Sequence, residues 1–116
     1  MKQLWNTTRD AAAVRELEVA DDFGSRMKGL LGRKDLPEGR GLLITECNSI
    51  HMFFMHFAID AVFIDAGMRV VKIAADLRPW QVASCSPARH TLEIPAGAAQ
   101  RARIEVGDQL EIRDST

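Results

Sequence analysis

Residues 59–75 read IDAVFIDAGMRVVKIAA and carry the clearest fold signal in the chain. Two apolar runs, 59–64 and 68–75, flank the short segment 65–67, which reads Asp-Ala-Gly. Runs rich in Val, Ile and Phe favour strands, and a short linker that contains Asp and Gly favours a tight turn. The stretch therefore predicts a β-hairpin, against which the neighbouring segments should pack.

The segments upstream of this hairpin predict two more strands and a helix. Residues 50–57 (IHMFFMHF) are apolar at both alternate positions apart from their histidines, which is typical of a central strand covered on both faces. Apolar and charged residues alternate over 14–20, which predicts a half-buried strand. A short helix over 23–31 should follow, with Asp21 or Asp22 as its N-cap.

Glycines and prolines divide the rest of the chain into short elements. The pattern predicts loops at 34–41 and 77–87, strands at 42–44, 90–94 and 109–113, and one helical turn at 96–102. The predicted class is mainly β: a compact β-barrel or sandwich of about seven short strands with one short helix near residues 23–31. The length of 116 residues fits a single domain over 1–116.

The overall composition excludes several classes of partner. The net charge is -1, so no broad electrostatic field attracts DNA or an acidic membrane. Aromatic residues make up 6% of the chain, which argues against a surface on which the bases of single-stranded nucleic acid would stack. We therefore expect no nucleic-acid partner. No apolar run reaches the roughly 18 residues of a membrane span, and the N-terminus lacks the apolar stretch of a signal peptide. We expect no membrane span and a cytoplasmic location.

Soft metal-binding side chains are dense between residues 47 and 56. They are one thiol, two thioethers and two imidazoles: Cys47, His51, Met52, Met55 and His56. Cu(I) favours such donors, and zinc binds thiols and imidazoles. On a strand, however, alternation places His51 and Met55 on one face and Met52 and His56 on the other. We therefore assign no metal ligand, and the cofactor is left open.

The candidate ligand-binding residues are His51, Asp60, Glu93 and Cys47. A carboxylate among apolar neighbours must be paired or hydrogen-bonded once it is buried. Asp60 therefore either accepts backbone N–H groups at a turn or serves a site beside His51. Glu93, between two apolar residues, either faces solvent or points into a cleft.

The same segment contains the residue types of a catalytic thiol. Cys47, His51 and Asp60 would supply a nucleophile, a base and an orienting carboxylate. Their spacing neither supports nor forbids this arrangement, so we assign no catalytic residue. In the cytoplasm we expect Cys47 and Cys85 to stay reduced.

The order of several short blocks resembles a known family. The blocks are RMKGLLGR at 26–33, GRGLL at 39–43, SIHMFFMHF at 49–57, IDAVFID at 59–65, LEIPAG at 92–97 and GD at 107–108. Over residues 14–112 the chain resembles the uncharacterised bacterial and archaeal proteins grouped as domain of unknown function family 192. The resemblance implies a mainly β fold with a short helix, and it implies no activity.

Three hypotheses for the function follow from these residues. The leading one is a non-enzymatic binding or accessory module with a protein or small-molecule partner, because no complete catalytic set of residues is present. The first alternative is a small-ligand or metal-binding protein with a cleft around His51 and Asp60. The second alternative is an enzyme that uses the same cleft.

Overall fold

The computed structural model describes residues 1–114, which form nine strands and two short helices. In chain order these are β1 (Lys2–Asn6), β2 (Ala11–Ala20), α1 (Phe23–Lys28), β3 (Arg40–Ile44), β4 (Ser49–His51), β5 (Ile59–Ile64), β6 (Val70–Leu77), β7 (Val82–Ser84), β8 (His90–Pro95), α2 (Ala98–Arg101) and β9 (Leu110–Asp114). The prediction of a mainly β fold with a short helix is confirmed.

Seven of the strands form one mixed sheet in the order β6-β5-β8-β3-β2-β1-β9. Neighbours in this sheet are antiparallel except β2 and β3, which run parallel because α1 and a loop carry the chain back between them. The predicted hairpin is β5 and β6. At its turn the Asp65 carboxylate accepts the N–H groups of Gly67 and Arg69 at 3.0 and 2.9 Å. β4 and β7 form a separate two-stranded ribbon.

The large sheet curls, but it does not close into the barrel that the sequence allowed. Within residues 1–114, one isolated bridge between Arg69 and Gln109 links the two ends of the strand order. β6 and β9 are not neighbours in the sheet, and Ile73 of β6 and Ala99 of α2 line an open cavity. The architecture is a curled open sheet with a small ribbon beside it.

Two apolar cores lie on opposite faces of the central strands. Along β5, Val62 and Ile64 belong to one core, while Ala61 and Phe63 belong to the other. α2 contributes to the first core, and the ribbon and the segment after α1 contribute to the second. β5 is therefore the strand that is buried on both faces, because every one of its residues is buried.

The prediction of a central strand over 50–57 is wrong. β4 ends at His51, and residues 52–58 form turns in which Phe54 has a φ of 65°. That backbone conformation interrupts an extended strand. The main chain of Met52 instead bonds to the β6–β7 connection: Met52 N donates to Gln81 O at 2.7 Å, and Trp80 N donates to Met52 O at 2.8 Å. The apolar composition here anchors a loop, with Met52 fully buried.

The helix predicted over 23–31 is shorter than expected. Asp22 is its N-cap as predicted, and its carboxylate accepts Ser25 N at 2.8 Å. α1 ends at Lys28 because Gly29 and Gly32 adopt positive φ values of 49° and 86°. β1 and β7 were not predicted. β1 forms a hairpin with β2, in which Asn6 lies opposite Ala11, and it also pairs with the distant β9. β7 pairs with β4, which is distant in sequence.

Candidate functional site

A groove separates α1 from the chain that leads through β4 to Met55. We call it the α1 groove, and its volume is about 370 Å³. α1 lines one side with Phe23, Arg26 and Met27, and β8 contributes Glu93. The volume lies within the range of small-ligand pockets, which is about 300–1,000 Å³.

The position of Glu93 follows from the pairing of β8 with its two neighbours. Glu93 lies opposite Leu42 of β3 and Ala61 of β5. Because directly opposite residues share a face of the sheet, the Glu93 side chain lies on the side that α1 covers. Only 5% of Glu93 is exposed, and a Cβ atom placed on Gly29 would lie 3.8 Å from its Oε1. The C-terminal end of α1 therefore passes close to a buried carboxyl group.

This carboxyl group lacks the partners that a buried acid needs. Its Oε1 atom has no hydrogen-bond partner within residues 1–114. Burial raises the pKa of Glu93 to about 7, and the nearby Arg33 guanidinium opposes this rise. Near neutral pH the group therefore gains and loses a proton readily, so it can present either a donor or an acceptor to the groove.

Arg26 supplies a second buried group without a partner. Its Nη2 atom donates to the carbonyl oxygen of Asp21 at 2.7 Å, but its buried Nε atom has no acceptor in the part of the chain that the structure describes. An unpaired buried polar group costs about 1–3 kcal/mol, and folded proteins contain few of them. The α1 groove therefore contains one acceptor without a donor and one donor without an acceptor.

Exposed apolar side chains surround these two groups. None of the residues of α1 is buried, and Phe23 and Met27 are 77% and 70% exposed. Leu31 and Phe53 add partly exposed apolar surface to the lining of the groove. Contiguous apolar surface of this kind marks binding sites for ligands or partners.

An exposed row of aromatic rings continues outward from the groove. Phe53 stacks on His51 with ring centroids 4.6 Å apart, and its ring centroid lies 5.7 Å from that of Trp80. The Phe54 ring meets Trp80 edge-on at 4.9 Å. Phe54 and Trp80 have φ values of 65° and 73°, a region that bulky residues rarely adopt. Strained backbone is found preferentially at functional sites, and here it presents two aromatic rings to solvent.

The α1 groove brings together three of the four predicted site residues: Cys47, His51 and Glu93. His51 Nδ1 accepts a hydrogen bond from Phe53 N at 3.3 Å, and Cys47 Sγ donates to Ser49 O at 3.2 Å. Local backbone thus holds both side chains. Their participation in binding stays a prediction.

Asp60 lies elsewhere, on the opposite face of the sheet. Its Oδ1 accepts Asp76 N at 2.9 Å and its Oδ2 accepts Ala99 N at 3.0 Å, which is the turn-capping role that the sequence also allowed. It lines the cavity between β6 and α2, of about 650 Å³. The expected cleft around His51 and Asp60 is therefore not formed. For the same reason Asp60 is not placed to orient His51 for a Cys47 nucleophile.

Three further predictions can be compared with residues 1–114: metal binding, the state of the cysteines and a membrane span. Within residues 1–114, no three or more His, Cys, Asp or Glu side chains cluster closely enough to hold a metal ion. Cys47 and Cys85 are free thiols. In the same part of the chain, neither helix has the length and apolar character needed to cross a membrane.

Arg26 and the aromatic row were not among the site residues predicted from the sequence. One usable signal was present: Phe23, Met27 and Leu31 recur every four residues, which places them on one helical face. Such a stripe normally packs against a core. The structure shows that its first two members remain largely exposed.

Comparison with known proteins supplies the family. A family model described as "Uncharacterized ACR", domain of unknown function family 192, matches residues 4–112. The chain belongs to this family. A UPF0127 protein of Pyrococcus furiosus is 35% identical over 114 residues and covers 91% of this chain and 94% of its own length. A UPF0127 protein of Pyrococcus horikoshii is 33% identical, with 91% and 95% covered. The resemblance drawn from the ordered sequence blocks is confirmed.

Two solved structures share the fold of this family member. A protein of unknown function from Novosphingobium aromaticivorans superposes with a TM-score of 0.80 at 26% identity, over 95% of this chain and 82% of the other. A protein from Sinorhizobium meliloti superposes with a TM-score of 0.78 at 22% identity, over 95% and 90%, and this likeness concerns the fold alone. The function must therefore be argued from the geometry of the site.

Proposed function

We propose that the chain is a non-enzymatic binding module and that the α1 groove is its binding site. One observation carries the proposal: Glu93 Oε1 is buried in a groove with an apolar rim and has no partner among the described residues. A ligand that combines an apolar group with a hydrogen-bonding group would cover the apolar rim and also supply the missing hydrogen bond to Glu93.

The energies of the two contacts support binding of such a ligand. Covering one exposed Phe or Met side chain stabilises a complex by about 1.5–3 kcal/mol. A hydrogen bond to a charged group adds about 1.5–3 kcal/mol, which is comparable with the penalty of leaving Glu93 unpaired. Catalysis has no comparable support, because Cys47 and His51 bond to nearby backbone atoms and Asp60 lies on the other face.

We also propose a class of partner and a cellular location for this protein. The rim of the groove is apolar rather than a stripe of cations, which favours a protein or small-molecule partner over nucleic acid. We propose the cytoplasm as the compartment, where free thiols such as Cys47 and Cys85 would stay reduced. The whole chain acts as one domain in this proposal, and no cofactor is assigned.

A neutral apolar dye tests the groove directly. Titration of the purified protein with 1-N-phenylnaphthylamine should give a saturable rise in fluorescence. Met27→Glu places a charge on the rim and should weaken dye binding at least tenfold. Because Met27 is 70% exposed, this variant should fold normally, which circular dichroism checks.

Val106→Glu is the matched control. Val106 is 63% exposed, like Met27, but it does not line the groove. Its variant should bind the dye as the wild type does. Equal affinities of the two variants would place the dye in another cavity, such as the one lined by Asp60, and would overturn the proposal. Absence of saturable binding to the wild type would do the same.

A further inference from the structure

We propose that the occupant of the α1 groove is an extended apolar segment of a partner polypeptide, whose backbone N–H and C=O groups bond to Glu93 and Arg26. This inference rests on the proposed function, because it requires that the groove bind a ligand. It adds the chemical class of that ligand and the two side chains that recognise it.

Hydrogen-bond complementarity favours a polypeptide backbone as the ligand. Glu93 Oε1 lacks a donor and Arg26 Nε lacks an acceptor within residues 1–114, and both residues line the same groove. A peptide unit offers one N–H donor and one C=O acceptor. A hydrocarbon would leave both groups unpaired, and an amine would pair with Glu93 alone. An amide therefore fits the pair better than these alternatives.

The second argument is the extent of the apolar surface. The rings of Phe53, Trp80 and Phe54 follow one another with centroid spacings of 5.7 and 4.9 Å, starting at the groove lining. An extended chain advances about 3.3 Å per residue, so this row accommodates roughly three further residues. Aromatic-lined grooves bind extended polypeptide segments in the polyproline II mode of recognition. A small amide confined to the groove would leave the row uncovered.

The third argument is that the row is held in place for contact with a partner. Trp80 is 60% exposed, yet its N–H donates to Met52 O at 2.8 Å, which fixes the backbone on which the ring is mounted. Phe54 is held with a positive φ close by. Aromatic side chains that are presented rigidly lose little conformational entropy on binding, which makes them effective anchors for a partner.

A pair of ligands that differ in one group tests the peptide unit. N-benzyl-3-methylbutanamide contains a single amide between two apolar groups, and benzyl 3-methylbutanoate replaces its N–H by oxygen. Wild-type protein should bind the amide about tenfold more tightly than the ester in displacement of the dye, a ratio that corresponds to about 1.4 kcal/mol. Glu93→Leu, which removes an unpaired buried acid and should fold, is expected to bind both compounds alike. Arg26→Met should weaken both, because amide and ester each keep the carbonyl.

Longer probes test whether the ligand is a polypeptide. The hexapeptide acetyl-Ser-Leu-Leu-Pro-Phe-Ser-amide should bind more tightly than the benzyl amide. Trp80→Ala should weaken the hexapeptide about tenfold and leave the benzyl amide and the dye unchanged. The matched control is Val106→Ala, which truncates an exposed apolar side chain outside the groove and should change none of the three affinities.

The outcomes separate this inference from the proposed function. In one outcome the dye binds while the wild-type protein has equal affinities for the amide and the ester. That outcome would support the groove as a binding site and would refute recognition of a peptide unit. If the hexapeptide binds no better than the benzyl amide, the ligand is a small amide and the polypeptide is refuted. If sedimentation shows a dimer that Met27→Glu dissociates, a second copy of the chain occupies the groove, which also overturns the inference. Failure of dye binding refutes the proposed function itself.

Discussion

Glu93 and Asp60 lie on neighbouring strands within one register position of each other, yet their carboxyl groups occupy opposite faces of the sheet. Asp60 is opposite Ile94, and Glu93 is opposite Ala61. Both oxygens of Asp60 accept backbone N–H groups, whereas Glu93 Oε1 accepts none from residues 1–114. The first carboxylate therefore stabilises the fold, and the second is the one that we propose binds a ligand.

Asp60→Ala should destabilise the protein strongly without affecting the α1 groove. It leaves the N–H groups of Asp76 and Ala99 without their acceptor, so the free energy of unfolding should fall by about 2–4 kcal/mol. Urea denaturation measures this loss. Asp114→Ala, which removes only an exposed contact to Lys2 at 3.4 Å, should change stability by less than about 0.5 kcal/mol. A loss at Asp60 no larger than the loss at Asp114 would contradict the assigned role.

Glu93 should make the protein less stable as the pH rises. Its pKa is about 7 in the folded state against 4.5 as the ordinary value, so the folded state retains a proton that the unfolded state releases. This contribution to stability is fully present below pH 4.5 and is lost as the pH rises through 7, with a size of about 3 kcal/mol.

Denaturation curves of wild type and Glu93→Gln between pH 4 and 9 test this dependence. In Glu93→Gln, the free energy of unfolding should decline much less as the pH rises. Burial lowers the pKa of His90, so this residue also makes stability depend on pH, and the difference between the two proteins is the quantity to compare. Glu111→Gln, at an exposed position paired with Arg113, is the control and should follow the wild type. Parallel curves for wild type and Glu93→Gln would show that this carboxyl does not titrate as expected.

Asp108 should be the carboxylate that protects the fold against acid. It is buried and accepts hydrogen bonds from Asn6 Nδ2 at 2.8 Å, Arg9 Nε at 3.1 Å and Glu105 N at 3.0 Å. Burial alone would raise the pKa of Asp108, but these hydrogen bonds lower it overall. Its contribution to stability is therefore present above the ordinary pKa of 3.8 and is lost as the pH falls through the folded value.

Asp108→Ala should lower the free energy of unfolding at pH 7 by about 2–4 kcal/mol, because Asn6 and Glu105 lose their buried acceptor. It should also flatten the decline of stability below pH 4. Thermal unfolding at pH 7 and pH 3 measures both effects. Equal losses of stability in wild type and variant between these two pH values would exclude Asp108 as the source of the acid sensitivity.

Gly41→Ala should destabilise the centre of the sheet. An added Cβ would lie 3.0 Å from Ile94 Cγ2 and 3.1 Å from Val14 Cγ1, so these buried side chains would have to shift by a few tenths of an ångström. We expect a loss of about 1–3 kcal/mol in urea denaturation. Gly24→Ala is the control: its nearest neighbour would be Asp22 Oδ1 at 3.7 Å, and the higher helix propensity of Ala should stabilise α1 by up to about 1 kcal/mol. Unchanged stability in Gly41→Ala would mean that the core repacks freely at this position.

Much of the fold was predictable because its signals are local. The hairpin of β5 and β6 follows from two apolar runs and the Asp-Ala-Gly turn, and the N-cap of α1 follows from Asp22. The strand predicted over 50–57 failed because apolar composition does not distinguish a central strand from a loop whose side chains are buried. β1 was not predicted because the five residues Lys2–Asn6 carry no clear alternation of apolar and polar side chains, although β1 pairs with the adjacent β2 as well as with the distant β9.

The candidate site was predictable only as a set of residue types. Cys47, His51 and Glu93 were identified by their chemistry, and the structure places all three along the α1 groove. Asp60 was grouped with them because it is close to His51 in sequence. It lies on the other face because side chains alternate along β5, and the strand register that assigns each residue to a face cannot be read from the sequence.

The sequence by itself determined the family, the mainly β class and the positions of most strands and turns, because periodicity, turn residues and ordered blocks are properties of adjacent residues. Only the tertiary structure decided that Glu93 would share a groove with Arg26 and that Trp80 would stand beside Phe53. Those contacts join segments far apart in the chain, and they depend on the order and register of strands. That order is set by the packing of the two cores as a whole, which no local pattern encodes.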